Sequence, residues 1–204
     1  FWGRGREGGV PWAALMESLH QPSEVLPGSL FMSSDVIPRN EDSLRQMGIT
    51  HIVNVTTNVP CLLEEEIQYL RIELLDKDDE PLQEYFEAAG NFIATALDNE
   101  DSKVLVHCNY GISRSTTIVL SFLMMHRNMT LREAHLHVES VRPIVFPNRG
   151  FMEHLRQLDS RLRRERGLPE AEEPENPAHR HPDPQGALDQ AAEQHRGGKK
   201  CALM

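Results

Sequence analysis

The stretch VHCNYGISRS at residues 106–115 constrains the fold more than any other part of the sequence. The first two residues of this stretch end the segment KVLVH (103–107), a short and almost wholly apolar run typical of a strand buried on both faces. A helical pattern begins at Arg114, and Gly111 lies between this run and the helix. A buried strand that leads through a glycine loop into a helix predicts an α/β layered fold.

The rest of the sequence extends this pattern. Strands are predicted at residues 28–34, 50–57 and 67–75, and the second of these segments alternates and is rich in β-branched residues. Apolar residues at helical spacing predict further helices. They are NEDSLRQMGI with Asn40 as cap and Gly48 as stop, residues 82–97, Arg114–His126, Leu131–Val141 and Asn148–Leu162, where Asn148 is suited to cap the helix. The prediction is a central, mostly parallel sheet flanked by helices.

Length and composition indicate one domain with tails. The 204 residues are divided into an N-terminal extension (1–24), a domain (25–165) and a proline-rich tail (166–204) predicted to be disordered. The net charge of −10 argues against a nucleic-acid partner. Cys61, Cys108 and Cys201 are too few and too widely spaced for a disulfide framework, which favours a reducing, cytoplasmic location.

The residues after the buried strand have the chemistry of a phosphate site. Ligands of open α/β sheets bind beyond the carboxyl ends of the strands, where Cys108 lies. Backbone N–H groups before a helix can form an anion-binding nest, Gly111 permits positive φ, and Arg114 supplies a planar fork of donors. Such surroundings favour a thiolate that can attack phosphorus. The alternative is a small buried cysteine and a surface arginine.

Several motifs together carry a resemblance to a known family. HCNYGISRS matches the His-Cys-x5-Arg-Ser/Thr signature of the protein tyrosine phosphatases. With GSLFMSS, GITHIVNVT and VRPIVFPNRGFMEHL, the sequence from Val25 to Leu162 resembles the atypical dual-specificity phosphatases of that superfamily. The resemblance implies a protein tyrosine phosphatase-like fold. It also implies hydrolysis of phosphotyrosine and/or phosphoserine/phosphothreonine in proteins through a cysteinyl-phosphate intermediate.

The resemblance also implies roles for matching residues. Cys108 would be the nucleophile, Ser115 would hydrogen-bond its sulfur, and His107 would steady the loop and help tune the thiol. On spacing alone, Ser115 is equally well explained as a simple helix-start residue. The phosphate-binding set would be Asn109, Tyr110, Gly111, Ile112, Ser113 and Arg114.

The general acid is expected in LLDKDDEPL, where an acidic loop follows a predicted strand. Asp76 is the preferred candidate because it directly follows the predicted strand and lies 32 residues before Cys108, a separation similar to that of the family. Asp78 and Asp79 remain alternatives, and a merely solvated acidic loop is the ordinary explanation of such a run.

Other features bear on substrate and cofactors. The loop residues between Cys108 and Arg114 include no lysine or histidine, whereas members of the resembled family that act on inositol lipids often carry a lysine there; this favours phosphoprotein over phosphoinositide or RNA 5′-phosphate substrates. A non-catalytic phosphoprotein-binding scaffold is the alternative function. Arg142 is interpreted as a structural or surface charge, although it could reach the loop. No cofactor is expected, and no metal site, since His135 and His137 point to different helix faces.

The last residues, GGKKCALM, match a C-a-a-X prenylation signal on Cys201. Arg196, Lys199 and Lys200 supply the basic charge that a single lipid needs for stable membrane attachment. The sequence therefore predicts attachment to the inner face of a membrane, with a chance match as the alternative.

Overall fold

A computed structural model describes residues 19–170 of the chain. In chain order the elements are β1 (Ser23–Leu26), β2 (Leu30–Ser33), α1 (Glu41–Met47), β3 (His51–Asn54), β4 (Gln68–Arg71), a 3-10 turn (Leu82–Tyr85), α2 (Phe86–Leu97), β5 (Val104–His107), α3 (Arg114–His126), α4 (Leu131–Val141) and α5 (Arg149–Arg166). None of the helices in residues 19–170 combines the length and the hydropathy of a membrane-spanning segment.

The strands form one sheet in the order β1-β2-β5-β3-β4. Strands β2, β5, β3 and β4 run parallel, and β1 pairs antiparallel with β2 at one edge. The predicted mostly parallel sheet flanked by helices is confirmed. Strand β1 was not predicted, because its four residues SEVL contain two polar side chains and no β-rich run.

Strand β5 occupies the centre of the sheet, and its burial explains its composition. Val104 and Val106 pack into the larger core together with apolar residues of α2, α3, α4 and α5. Leu105 points to the opposite face and packs with Leu44 of α1 and Ile52 of β3. Both faces of β5 are therefore covered, as the apolar run predicted.

Most helix boundaries follow from local signals. The Asn40 side chain accepts a hydrogen bond from Ser43 N–H at the start of α1, and Gly48 ends that helix with φ of 68°. Helix α5 runs beyond its predicted end at Leu162 to Arg166, where Gly167 in the left-handed conformation stops it.

The limits of the predicted domain differ from those of the packed elements. Strand β1 begins at Ser23, and Leu19 is buried against Ile112 and Ile144, so residues before 25 take part in the fold. Helix α5 continues one residue past the predicted domain end at 165. The prediction of a disordered tail falls, from residue 171 onward, outside the described residues.

The central position of β5 leads to a stability prediction. Replacing the fully buried Leu105 by alanine should lower the free energy of unfolding by about 2–5 kcal/mol, because it leaves a cavity between α1 and the sheet. Leu136, which is 54% exposed on α4, is the control. Leu136→Ala should change the free energy of unfolding by no more than about 0.5 kcal/mol. Urea denaturation measures both, and equal losses would contradict this account of the core.

Candidate active site

Cys108 directly follows β5 and lies at the base of a loop that ends where α3 begins; we call residues 108–114 the cysteine loop. Its sulfur accepts a hydrogen bond from the backbone N–H of Gly111 at 3.2 Å and lies 3.3 Å from the Ser115 hydroxyl oxygen. The residue is only 1% exposed, yet its sulfur faces polar groups. The sulfur is thus held as a hydrogen-bond acceptor within the cysteine loop.

Gly111 has no room for a side chain. Its φ is 66°, in the left-handed region that favours glycine. A Cβ atom here would lie 2.6 Å from the backbone oxygen of Ser33 and 2.6 Å from Nη2 of Arg142. The cysteine loop therefore passes tightly between the end of β2 and the Arg142 guanidinium.

Arg142 lies beneath the cysteine loop and is fully buried. Its Nε donates to the carbonyl of Gly111 at 2.7 Å and its Nη2 donates to the carbonyl of Tyr110 at 3.0 Å. Its Nη1 reaches the N-terminal segment, donating to Ser23 Oγ at 3.2 Å and to the Gln21 carbonyl at 3.3 Å. Burial lowers the pKa of Arg142 to about 10, which leaves it a cation at neutral pH.

The interpretation of Arg142 as a surface charge is wrong. The residue is structural, and the alternative that it reaches the cysteine loop is also correct. Local sequence could not decide this, because the groups that Arg142 contacts lie 31 and 119 residues away along the chain. Its position between Val141 and the apolar run after Pro143 was the available signal of burial.

Arg114 begins α3, and its guanidinium is also fixed by backbone carbonyls. Nη1 donates to the carbonyls of Val55 and Leu74, just beyond β3 and β4, at 3.2 and 3.1 Å. Nη2 donates to Asn109 Oδ1 and Nε donates to Asp76 Oδ2, both at 3.3 Å. The Arg114 side chain is 7% exposed. The ends of two neighbouring strands therefore hold this cation beside the cysteine loop.

Of the three aspartate candidates, Asp76 contacts the cysteine loop. Its Oδ1 accepts hydrogen bonds from Ser113 Oγ at 2.7 Å and from Asn148 Nδ2 at 2.8 Å. Asp78 and Asp79 are exposed. The predicted end of the strand before Asp76, at residue 75, is wrong. Strand β4 stops at residue 71, and four residues separate it from Asp76.

His107 is the last residue of β5 and is completely buried between β2 and β3. Among residues 19–170, neither of its ring nitrogens has a hydrogen-bond partner. Burial is the largest cause and lowers its pKa to about 3; the Cys108 backbone acts against this, and the charges of Arg39 and Arg114 act in the same direction as burial. The imidazole is therefore neutral near pH 7 and brings no positive charge to the thiol.

The remaining residues of the cysteine loop line and support it. Asn109 bridges to Asn58, its Nδ2 donating to Asn58 Oδ1 at 3.3 Å. Ile112 packs into an apolar cluster beneath the loop, and its carbonyl accepts from Phe146 N–H at 2.8 Å. The first N–H groups of α3 have no acceptor within their helix, so they can bind an anion.

The site contains no arrangement suited to a metal ion: within the described part of the chain, no group of three or more His, Cys, Asp or Glu side chains is placed to hold one. Cys201 and the basic residues Arg196, Lys199 and Lys200 lie outside the described residues.

Comparison with known proteins places this geometry in a family. The model of the dual specificity phosphatase catalytic domain matches residues 30–161. The chain belongs to the dual specificity phosphatase family. Dual specificity protein phosphatase 13B of Mus musculus is 40% identical over 163 residues, which are 76% of this chain and 81% of that protein.

Two solved structures of dual specificity phosphatases share the fold. Human DUSP28 is 30% identical, with a TM-score of 0.65 over 70% of this chain and 95% of that one. A mouse putative dual specificity phosphatase complexed with zinc tungstate is 27% identical, with a TM-score of 0.68 over 83% of this chain and 100% of that one. The chain is therefore a protein phosphatase of the protein tyrosine phosphatase superfamily, and the enzyme is favoured over the non-catalytic scaffold.

The neutral, buried His107 leads to a prediction about the dual specificity phosphatase at low pH. Its pKa is about 3 when folded and about 6.5 when unfolded, so the unfolded chain binds the proton first as pH falls. Stability should fall as pH drops below about 6.5, with this histidine contributing up to about 1.4 kcal/mol per pH unit.

Urea denaturation between about pH 7 and pH 4 measures this slope, and His107→Gln should make it shallower than in the wild type. The exposed His20 serves as the control, and His20→Gln should leave the slope unchanged. An identical slope in His107→Gln and the wild type would show that His107 does not titrate in this way.

Proposed function

We propose that this phosphatase removes phosphate from phosphotyrosine and/or phosphoserine/phosphothreonine in proteins, with Cys108 as nucleophile. The observation that carries the proposal is the position of the Cys108 sulfur, which accepts the Gly111 N–H and lies beside the Ser115 hydroxyl at the start of α3. Both contacts stabilise a negative charge on sulfur, and the helix start favours a bound phosphate.

In the first step the Cys108 thiolate attacks phosphorus, and a sulfur–phosphorus bond forms as the bond from phosphorus to the ester oxygen breaks. The leaving oxygen keeps the bonding electron pair and takes a proton from Asp76, which becomes a carboxylate. Arg114 and the amides of the cysteine loop would hold the three remaining phosphoryl oxygens.

In the second step water attacks the cysteinyl phosphate. The Asp76 carboxylate takes a proton from the water, the new oxygen–phosphorus bond forms, and the sulfur leaves as a thiolate. Inorganic phosphate is released and Asp76 is protonated again. The Ser115 hydroxyl, 3.3 Å from the sulfur, would stabilise the departing thiolate.

Substrate class is proposed from the charge of the cysteine loop. Residues 109–113 carry no ionisable group other than the Tyr110 phenol. A single phosphate bound by the loop would therefore contact the Arg114 guanidinium and backbone donors. Inositol lipids with several phosphates would need further cations there, whereas a phosphorylated side chain presents one phosphate. This favours phosphoproteins.

Turnover of phenyl phosphate tests the roles of Cys108 and Asp76. Cys108→Ser should abolish it, while Cys61→Ser, which changes the other free cysteine among residues 19–170, should not. Asp76→Asn should lower kcat/KM by about 10²–10⁴-fold because the leaving oxygen loses its proton donor. The exposed Asp79 provides the control, and Asp79→Asn should retain activity within about twofold, since it is solvated.

If the folded wild-type protein showed no turnover, the result would contradict the enzyme and support the alternative function, a phosphoprotein-binding scaffold. A larger loss of kcat/KM in Asp79→Asn than in Asp76→Asn would identify Asp79 as the general acid.

We also propose that, where the chain ends at Met204, a farnesyl group on Cys201 holds this enzyme on the cytoplasmic side, at the inner face of a membrane. Support comes from the CALM sequence and from the neighbouring Arg196, Lys199 and Lys200. One lipid chain alone binds membranes only marginally, and basic residues add attraction to anionic lipids.

Mass spectrometry of the C-terminal peptide from cells tests this attachment. The wild type should carry the mass of a farnesyl group on Cys201, and Cys201→Ser should move the protein from the membrane to the soluble fraction. Replacing the three basic residues by glutamine should weaken membrane binding without removing the lipid. An unmodified Cys201 would exclude this attachment.

A further inference from the structure

The start of α5 contacts Asp76, the proposed acid. From the sequence, the Asn148 side chain at this position is expected only to cap the helix. Asn148 caps α5 through its Oδ1, which accepts the N–H of Phe151 at 2.9 Å. The same side chain donates from Nδ2 to Asp76 Oδ1 at 2.8 Å. Because the cap requires the oxygen to face Phe151, the amide nitrogen must face Asp76. The cap thus fixes the direction of the donor.

Ser113 connects the same carboxylate to the cysteine loop. Its hydroxyl donates to Asp76 Oδ1 at 2.7 Å and accepts from the backbone N–H of Asn148 at 3.1 Å. Asp76 Oδ1 therefore accepts two hydrogen bonds, which occupy both lone pairs of that oxygen. The other carboxylate oxygen, Oδ2, lies 3.3 Å from Nε of Arg114.

A backbone contact holds the rest of the acidic loop against α5. A Cβ atom on Gly150 would overlap the carbonyl oxygen of Asp78, so the two backbones pack together with no space for a side chain. The N–H of Gly150 also points at Asp78 Oδ1, at 3.4 Å. The start of α5 thus contacts the acidic loop both at Asp76 and at Asp78.

We propose that Asn148 is a positioning residue for the general acid, and that it determines which oxygen of Asp76 delivers the proton. Because Oδ1 is saturated by Asn148 and Ser113, the transferable proton resides on Oδ2, on the side of Arg114. A bound phosphoryl group takes over the Nε hydrogen bond of Arg114 and leaves Oδ2 facing the ester oxygen. The inference rests on the proposed role of Asp76 as acid.

The variant Asn148→Ser separates this role from helix capping. Serine is a good N-cap residue, so α5 keeps its cap, but its side chain carries no amide to donate to Asp76. Gly150→Ala is the second variant, because its methyl group would push the backbone of Asp78 away. Thr130→Ala is the matched control, since it removes the cap of α4, which lies on another helix.

The readout is kcat/KM for two substrates, phenyl phosphate with a poor leaving group and 2,4-dinitrophenyl phosphate with a good one. General-acid catalysis matters only for the poor leaving group. Asn148→Ser and Gly150→Ala should lower kcat/KM about tenfold or more for phenyl phosphate and less than about twofold for dinitrophenyl phosphate. The ratio of the two rates does not depend on the fraction of folded protein. Thr130→Ala should leave the ratio unchanged.

A double-mutant cycle completes the test. In an Asp76→Asn background, Asn148→Ser should change kcat/KM for phenyl phosphate less than about twofold, because there is no proton left to position. Equal losses on both substrates, or the same loss with and without Asp76, would overturn the inference. A wild type lacking Cys108-dependent turnover would instead overturn the proposed function on which it depends.

Discussion

The active site depends on the hydrogen bonds that the buried Arg142 donates to the cysteine loop from below. Arg142 directs the carbonyls of Tyr110 and Gly111 away from the phosphate side. Because the N–H of a peptide points opposite to its C=O, the N–H of Gly111 is turned toward the Cys108 sulfur, at 3.2 Å. A loop that faced its carbonyls inward would repel both the thiolate and a phosphate.

Two arginines thus serve the site in different ways. Arg142 is enclosed by the cysteine loop and by Gln21 and Ser23, so it acts as a structural cation. Arg114 is held from behind by carbonyls beyond β3 and β4, while its Nε and Nη2 donate to the side chains of Asp76 and Asn109, whose place a phosphate oxygen can take. An immobile cation and an exchangeable one are what a site needs when it must stay formed while phosphate enters and leaves.

The sequence predicted those features that depend on neighbouring residues. The cap at Asn40, the buried strand β5 and the starts of α3 and α4 follow from local patterns and agree with the structure. The sequence also predicted Asn148 as a cap, which is confirmed, but not its contact with a carboxylate 72 residues away. Such contacts arise only when the sheet brings the ends of its strands together.

Charge explains why Asp76 lies against Arg114 before a substrate arrives. The pair is nearly buried, with side chains 7% and 10% exposed, and an ionised carboxylate there needs a cation or several donors to be stable. A phosphate dianion that takes the Arg114 donor removes this partner and brings negative charge close to the carboxylate. Both changes loosen the contact between Asp76 Oδ2 and Arg114, which are 3.3 Å apart in the empty site. In the proposed mechanism, substrate binding would therefore release Asp76 Oδ2 from Arg114 at the place where the leaving oxygen needs a proton donor, and in the empty site Oδ2 stays paired with Arg114.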